Sequence, residues 1–160
     1  MLEIRFICVG RLKEKFYIQA IGEYAKRLQA YCRFELVELS EVRLPDNPSD
    51  AQIAAALREE GSNIKKNIPS GALVVSMCVE GRKMSSQELS KFIFSSTVAG
   101  KSKMCFIIGG SYGLSDEVKE ISDLKLSMSD MTFPHHLARV MLAEQIYRAF
   151  KIAEGSKYHK

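Results

Sequence analysis

Gly109-Gly110-Ser111-Tyr112-Gly113 stands directly after the apolar run Met104 to Ile108. At the end of a buried strand such a loop exposes backbone amides and lets a ligand approach the main chain. The same residues would equally serve as a tight strand-to-helix turn. Their spacing only loosely matches the G-x-G-x-x-G dinucleotide fingerprint, and the Gly-Lys-Ser/Thr of a phosphate-binding P-loop is absent. Further on, Ser127-Met128-Ser129-Asp130-Met131-Thr132-Phe133-Pro134 mixes hydroxyls with Met and Phe immediately before a helix. That composition can hold an aromatic base between apolar side chains, or staple and cap the helix that follows. His135 and His136 are adjacent, so on a helix they diverge by about 100°, and no histidine stands four positions away. Packing or capping is expected of them, and no metal. Arg139 and Arg148 interrupt an otherwise apolar helix, where a guanidinium can meet phosphate, or a carboxylate such as Glu144 of the partner subunit. Lys157-Tyr158-His159-Lys160 closes the sequence with a stacking ring between cations, the makings of a single-stranded RNA contact or of a frayed terminus.

These residues need a scaffold, and the pattern supplies one. Leu2 to Val9, Arg33 to Leu39, Ala72 to Val79, Met104 to Ile108 and Leu124 to Leu126 read as strands. Between them lie helical stretches: Glu14 to Tyr31, with Phe16, Ala20, Tyr24, Leu28 and Tyr31 on one face; Ser49 or Asp50 to Asn67; Ser85 to about Ala99, opened by a capping box; and a short helix after Ser115. Ser40 to Ser49 is the one linker-like stretch. Alternation of this kind predicts an α/β domain over residues 1–160, a mostly parallel sheet with helices on both faces. The last helix, His135 to Ala153, is apolar nearly all round, which predicts two partners for it: the core and a second subunit.

Composition excludes several classes. Among 160 residues, 46% are hydrophobic and 26% charged, the proportions of a folded chain rather than a disordered one. The longest apolar run, Ala72 to Val79, is far too short to span a bilayer, and Met1 to Phe6 does not read as a signal peptide, so a cytoplasmic protein is expected. Cys8, Cys32, Cys78 and Cys105 show no C-x-x-C spacing and read as reduced core thiols. The net charge of +4 mildly favours an anionic partner without naming one.

Taken together, Val9 to Glu14, Phe106 to Gly113, Met131 to His135, Glu144 to Ile152 and Tyr158-His159-Lys160 resemble one family across the whole chain. It is the bacterial 23S ribosomal RNA pseudouridine N3-methyltransferases, minimal members of the SPOUT class. The resemblance implies a C-terminal trefoil knot, which connection rules alone would not select, and a homodimer. It implies S-adenosylmethionine as cofactor, bound at Met77, Gly109 and Gly110 and at Met128, Ser129, Asp130, Met131, Thr132 and Phe133. The implied substrate is a pseudouridine of 23S rRNA in the assembled ribosome, contacted by Arg139, Tyr158, His159 and Lys160. No residue announces itself as the base for N3. His159 is the first candidate for this catalytic role, because histidine as a type titrates near neutrality, and Asp130 the second. The competing expectations are a non-catalytic ribosome-binding factor and an unknotted nucleotide-binding enzyme.

Overall fold

The first strand becomes the middle of the sheet. In the computed structural model, which describes residues 1–160, β1 (Glu3–Val9) pairs in parallel with β2 (Arg33–Leu39) on one side and β4 (Lys103–Ile108) on the other. Next to β4 lies β3 (Leu73–Lys83), and β5 (Leu124–Ser127) forms the far edge, giving the all-parallel order β2-β1-β4-β3-β5. The connecting helices are α1 (Lys15–Leu28), α2 (Asp50–Asn67), α3 (Ser86–Val98), α4 (Asp116–Glu120) and α5 (His135–Ala153).

Alternation along β1 divides the core in two. Ile4, Phe6 and Cys8 point to the side covered by α1, α3 and α5, packing with Phe106, Ile21, Leu28, Ile93 and Ile146. Ile7 and Val9 point to the other side and meet Ile64 of α2 and Val118 of α4. Helices therefore cover both faces, as the alternating pattern predicts. Flanked by α1 and α3, α5 buries Leu142, Ala143, Ile146, Ala149 and Phe150, so neighbours within the chain account for much of its apolar circumference.

Local chemistry sets the boundaries. Ser49 and Ser85 each cap a helix reciprocally: the serine hydroxyl accepts the N–H of Gln52 or Glu88, whose side chain accepts the serine's N–H in return. Such a cap stabilises a helix by about 1 kcal/mol. Two expectations change. In α1 the inward stripe is Tyr17, Ile21, Tyr24 and Leu28, while Phe16 points outward, 62% exposed, against the Tyr17 ring. And β3 does not stop at Val79. It pairs with β5 through Met77, leaves the ladder, and rejoins it at Arg82 and Lys83. At the rejoining point Gly81 lies on the backbone of Lys125 and Leu126, where a Cβ would come within 2.7 Å of a main-chain carbon. Only glycine permits that crossing.

The four cysteines are unpaired. Burial pushes the thiols of Cys8, Cys32 and Cys105 up to about 12, the behaviour of inert packing groups.

Candidate functional site

The excursion of β3 between Met77 and Arg82 opens one wall of a cleft at the carboxyl ends of β3, β4 and β5. The glycine loop after β4 makes the second wall and the β5–α5 loop the third, enclosing about 770 Å³. That is the size and position expected of a small-molecule site in a parallel sheet. Met77, Gly109, Gly110, Met128, Ser129, Met131, Thr132 and Phe133 all line it, so three chain segments distant in sequence converge on one cleft. Asp130 does not line the cleft. Its carboxylate is 84% exposed and pairs with Lys83 at 2.6 Å, because Ser129 accepts the Met131 N–H and the turn carries Asp130 outward.

The glycine loop owes its shape to contacts on both sides. Gly113, at φ +80°, donates its N–H to the carbonyl of Gly110 at 3.0 Å, and a Cβ on Gly109 would strike the Gly113 backbone. From outside, the carboxylate of Glu41 accepts the Ser111 N–H at 3.2 Å. The cleft also carries charge. Glu80 and Lys119 face each other across a short ion pair; the Lys119 ammonium holds the Glu80 carboxyl below its ordinary value, and Glu80 raises Lys119 in return. Nearby, burial raises the Cys78 thiol. No group of three His, Cys, Asp or Glu side chains is disposed to hold a metal ion.

At the start of α5, His135 lines the cleft with its Nδ1 enclosed and unpaired. One turn later comes Arg139, where the structure corrects the sequence expectation. Arg139 is fully buried, pairs with Glu38 at 2.7 Å and donates to the Gly10 carbonyl at 3.0 Å, so it cannot touch RNA from this position. Glu38 accepts the Leu12 N–H as well, at 2.9 Å, which ties the β1–α1 turn to α5.

The C-terminal residues gather elsewhere. Tyr158 donates its hydroxyl to Glu144 at 3.1 Å and lies under the Arg148 guanidinium, 4.9 Å from the ring centre. Glu144 pairs with Arg148 along the same helix. His159 accepts from Arg148 at Nδ1, 3.2 Å away, and faces the Gln87 amide at Nε2, 2.8 Å away. Since a guanidinium only donates, Nδ1 is the accepting nitrogen of the ring and Nε2 faces the Gln87 amide. Arg148 lies ten residues beyond Ala138, the last α5 residue of the cleft wall, or about 15 Å along the helix axis. His159 and Tyr158 are thus remote from the cleft of their own chain, and Lys160 is exposed beyond them. Sequence reasoning missed Glu41, in the stretch read as a linker, and Glu80, Gly81 and Lys119. None belongs to a motif; their proximity to the cleft exists only in three dimensions.

A family model described as "Predicted SPOUT methyltransferase" matches residues 2–159. The chain belongs to the SPOUT methyltransferase family. It is 48% identical over 159 residues to the ribosomal RNA large subunit methyltransferase H of Clostridium botulinum (strain Alaska E43 / Type E3), covering 99% of this chain and 100% of that protein. The protein so named from Bacillus pumilus (strain SAFR-032) is 45% identical over the same shares of each chain. Among solved structures, a probable methylase family protein from Haemophilus influenzae Rd KW20 superposes with a TM-score of 0.55 at 20% identity, covering 100% of this chain and 72% of that one, which is a likeness of fold alone.

Proposed function

We propose that the protein transfers a methyl group from S-adenosylmethionine to N3 of a pseudouridine in 23S ribosomal RNA of the assembled ribosome, acting in the cytoplasm as a homodimer. The observation that carries this reading is the convergence of Met77, the glycine loop and the 128–133 loop on one cleft, in a chain nearly half identical to a large-subunit rRNA methyltransferase over its whole length.

The cleft fits such a methyl donor. Thioether and aromatic side chains at Met77, Met128, Met131 and Phe133 offer an apolar seat for an adenine ring, and backbone groups of the glycine loop are within reach of its polar edge. The Glu80–Lys119 pair supplies one charge of each sign for an amino-acid zwitterion. When bound, the donor supplies an electrophilic methyl on a sulfonium. The protein's share is then to hold the acceptor nitrogen in line with it, exclude water and take away the N3 proton.

The tail's distance from its own cleft supports two copies, with Tyr158, His159 and Lys160 of one completing the substrate surface of the other. Removal of residues after Gly155 is expected to leave affinity for S-adenosylmethionine intact by calorimetry and to abolish methylation of ribosomes. Parallel loss of both would mean that the tail supports the fold. Mass spectrometry of large-subunit RNA from a deletion strain tests the whole reading: one methyl group on a pseudouridine should be missing, and an unchanged RNA would favour a binding factor without catalysis.

A further inference from the structure

Methylation at N3 requires a proton acceptor beside the target ring, and most titratable groups near the cleft are committed elsewhere. Asp130 points outward to Lys83, and His159 has both ring nitrogens engaged, one by Arg148 and the other by Gln87. Glu80 is neutralised by Lys119, and Cys78 is kept as a thiol by burial. Tyr112 offers only a phenolic hydroxyl.

His135 differs from all of these. It lines the cleft at the first position of α5, and its Nδ1 is enclosed with no hydrogen-bond partner in the protein. A polar atom enclosed without a partner is rare in a finished fold and commonly marks a group kept for a ligand or for catalysis. The groups around the ring are few. His136 meets it edge-on with centroids 4.2 Å apart, Gly10 lies beside it at the end of β1, Glu41 approaches from the segment after β2, and Arg139 follows one turn on.

We propose that His135 is the catalytic base that accepts the N3 proton of the target pyrimidine. The inference rests on the methyltransferase reading above and names the residue that performs its proton transfer. The N3 proton passes to Nε2 of the imidazole, the ring nitrogen that is not enclosed, and the N3 electron pair forms the new bond to the methyl carbon. The carbon–sulfur bond breaks with its electrons left on sulfur, and the imidazolium returns its proton to water. The environment suits this role. Burial, reinforced by His136 and Arg139 against the opposing pull of Glu41, lowers the His135 imidazole from its ordinary value, so the ring is neutral and able to accept at pH 7.

The test uses the full chain, S-adenosylmethionine, and ribosomes from a strain lacking this methylation. His135→Gln should slow single-turnover methylation by about 10²- to 10⁴-fold, the usual contribution of a positioned base. In the wild type the rate should rise with pH through a limb below the ordinary histidine value of about 6.5, and that limb should vanish in the variant. Affinity for the donor, measured by calorimetry, should change by less than about threefold, since uniform binding is not what a base supplies. Added imidazole should partly restore His135→Ala. In NMR of the resting protein, the His135 ring should titrate below 6.5. A His135→Gln rate near that of the wild type with the acid limb retained would overturn the proposal, as would donor affinity that collapses in both variants without imidazole rescue. A wild-type protein that methylates nothing would overturn the reading beneath it.

Discussion

Replacing Arg139 by methionine separates two accounts of the same residue. The family resemblance implies a substrate role for Arg139, whereas the structure buries it completely against Glu38 and the Gly10 carbonyl. Removing one member of a fully buried ion pair costs about 3 to 5 kcal/mol, because the remaining charge is stranded. Here the cost is smaller. Glu38 keeps about a third of its side-chain surface in water and still accepts the Leu12 N–H, so it can rehydrate, and methionine replaces much of the aliphatic stem. The Gly10 carbonyl loses a donor, which costs about 1 kcal/mol or more. The net expectation is a loss of about 2 to 3 kcal/mol. For a chain of this length that lowers Tm by about 5 to 10 °C, and a urea titration should show a lower midpoint at unchanged slope. A double-mutant cycle with Glu38→Gln should return a coupling of about 2 kcal/mol, typical of contacting residues in one network. If Arg139→Met left Tm within 1 °C and instead weakened ribosome binding, the buried-network account would be wrong and the substrate assignment right.

Gly81→Ala should destabilise by about 1 to 3 kcal/mol, since its Cβ would meet the Lys125 and Leu126 backbone and neither strand can yield; Gly22→Ala, in open space on α1, should raise Tm slightly. A Gly81→Ala protein as stable as the wild type would show that the strands separate freely at the crossing. Glu60 offers a pH test: burial raises its carboxyl above the ordinary value, so the folded chain holds that proton more tightly than the unfolded one, and the ionised form costs stability above the folded value. Glu60→Gln, which keeps an acceptor for the Val42 N–H, should therefore raise Tm at pH 7, with the gain shrinking as pH falls toward 4; a lower Tm at pH 7 would contradict this.

Most elements were legible because their signals are local. Alternation passing into an apolar run marked β1, capping serines marked the starts of α2 and α3, and Pro134 marked the start of α5. What failed depends on partners far away in the chain. Beyond Val79, Glu80-Gly81-Arg82-Lys83 shows neither apolar alternation nor β-branching, and it is strand only because β5 lies beside it, more than forty residues later. Phe16 and Ile21 both suit an apolar stripe, and the choice between them was made by the sheet. Arg139 is the sharpest case. An arginine on a helix reads as solvent-facing or phosphate-facing, and the carboxylate that permits its burial is 101 positions away. For the cleft, the family resemblance named nine donor-site residues and eight of them line it, but a loop's composition does not say which side chain its turn throws outward, and Asp130 is the one thrown.

The buried charges and the cleft are one construction. Glu38 holds the β1–α1 turn through Leu12 and α5 through Arg139, Arg139 reaches back to Gly10, and Glu41 holds the glycine loop through Ser111. Three strand ends and the beginning of α5 are thereby tied together directly behind the ligand-facing surface. His135 precedes Arg139 by four residues, so the two share a helix face, and whatever anchors the guanidinium fixes the imidazole's approach to the cleft. Methyl transfer from a sulfonium is limited by in-line alignment more than by electrophilicity, and misplacement by an ångström can cost two orders of magnitude. A charge-assisted backing is costly to bury, yet it has few alternative arrangements, and that restriction is what a catalytic group on a helix terminus requires.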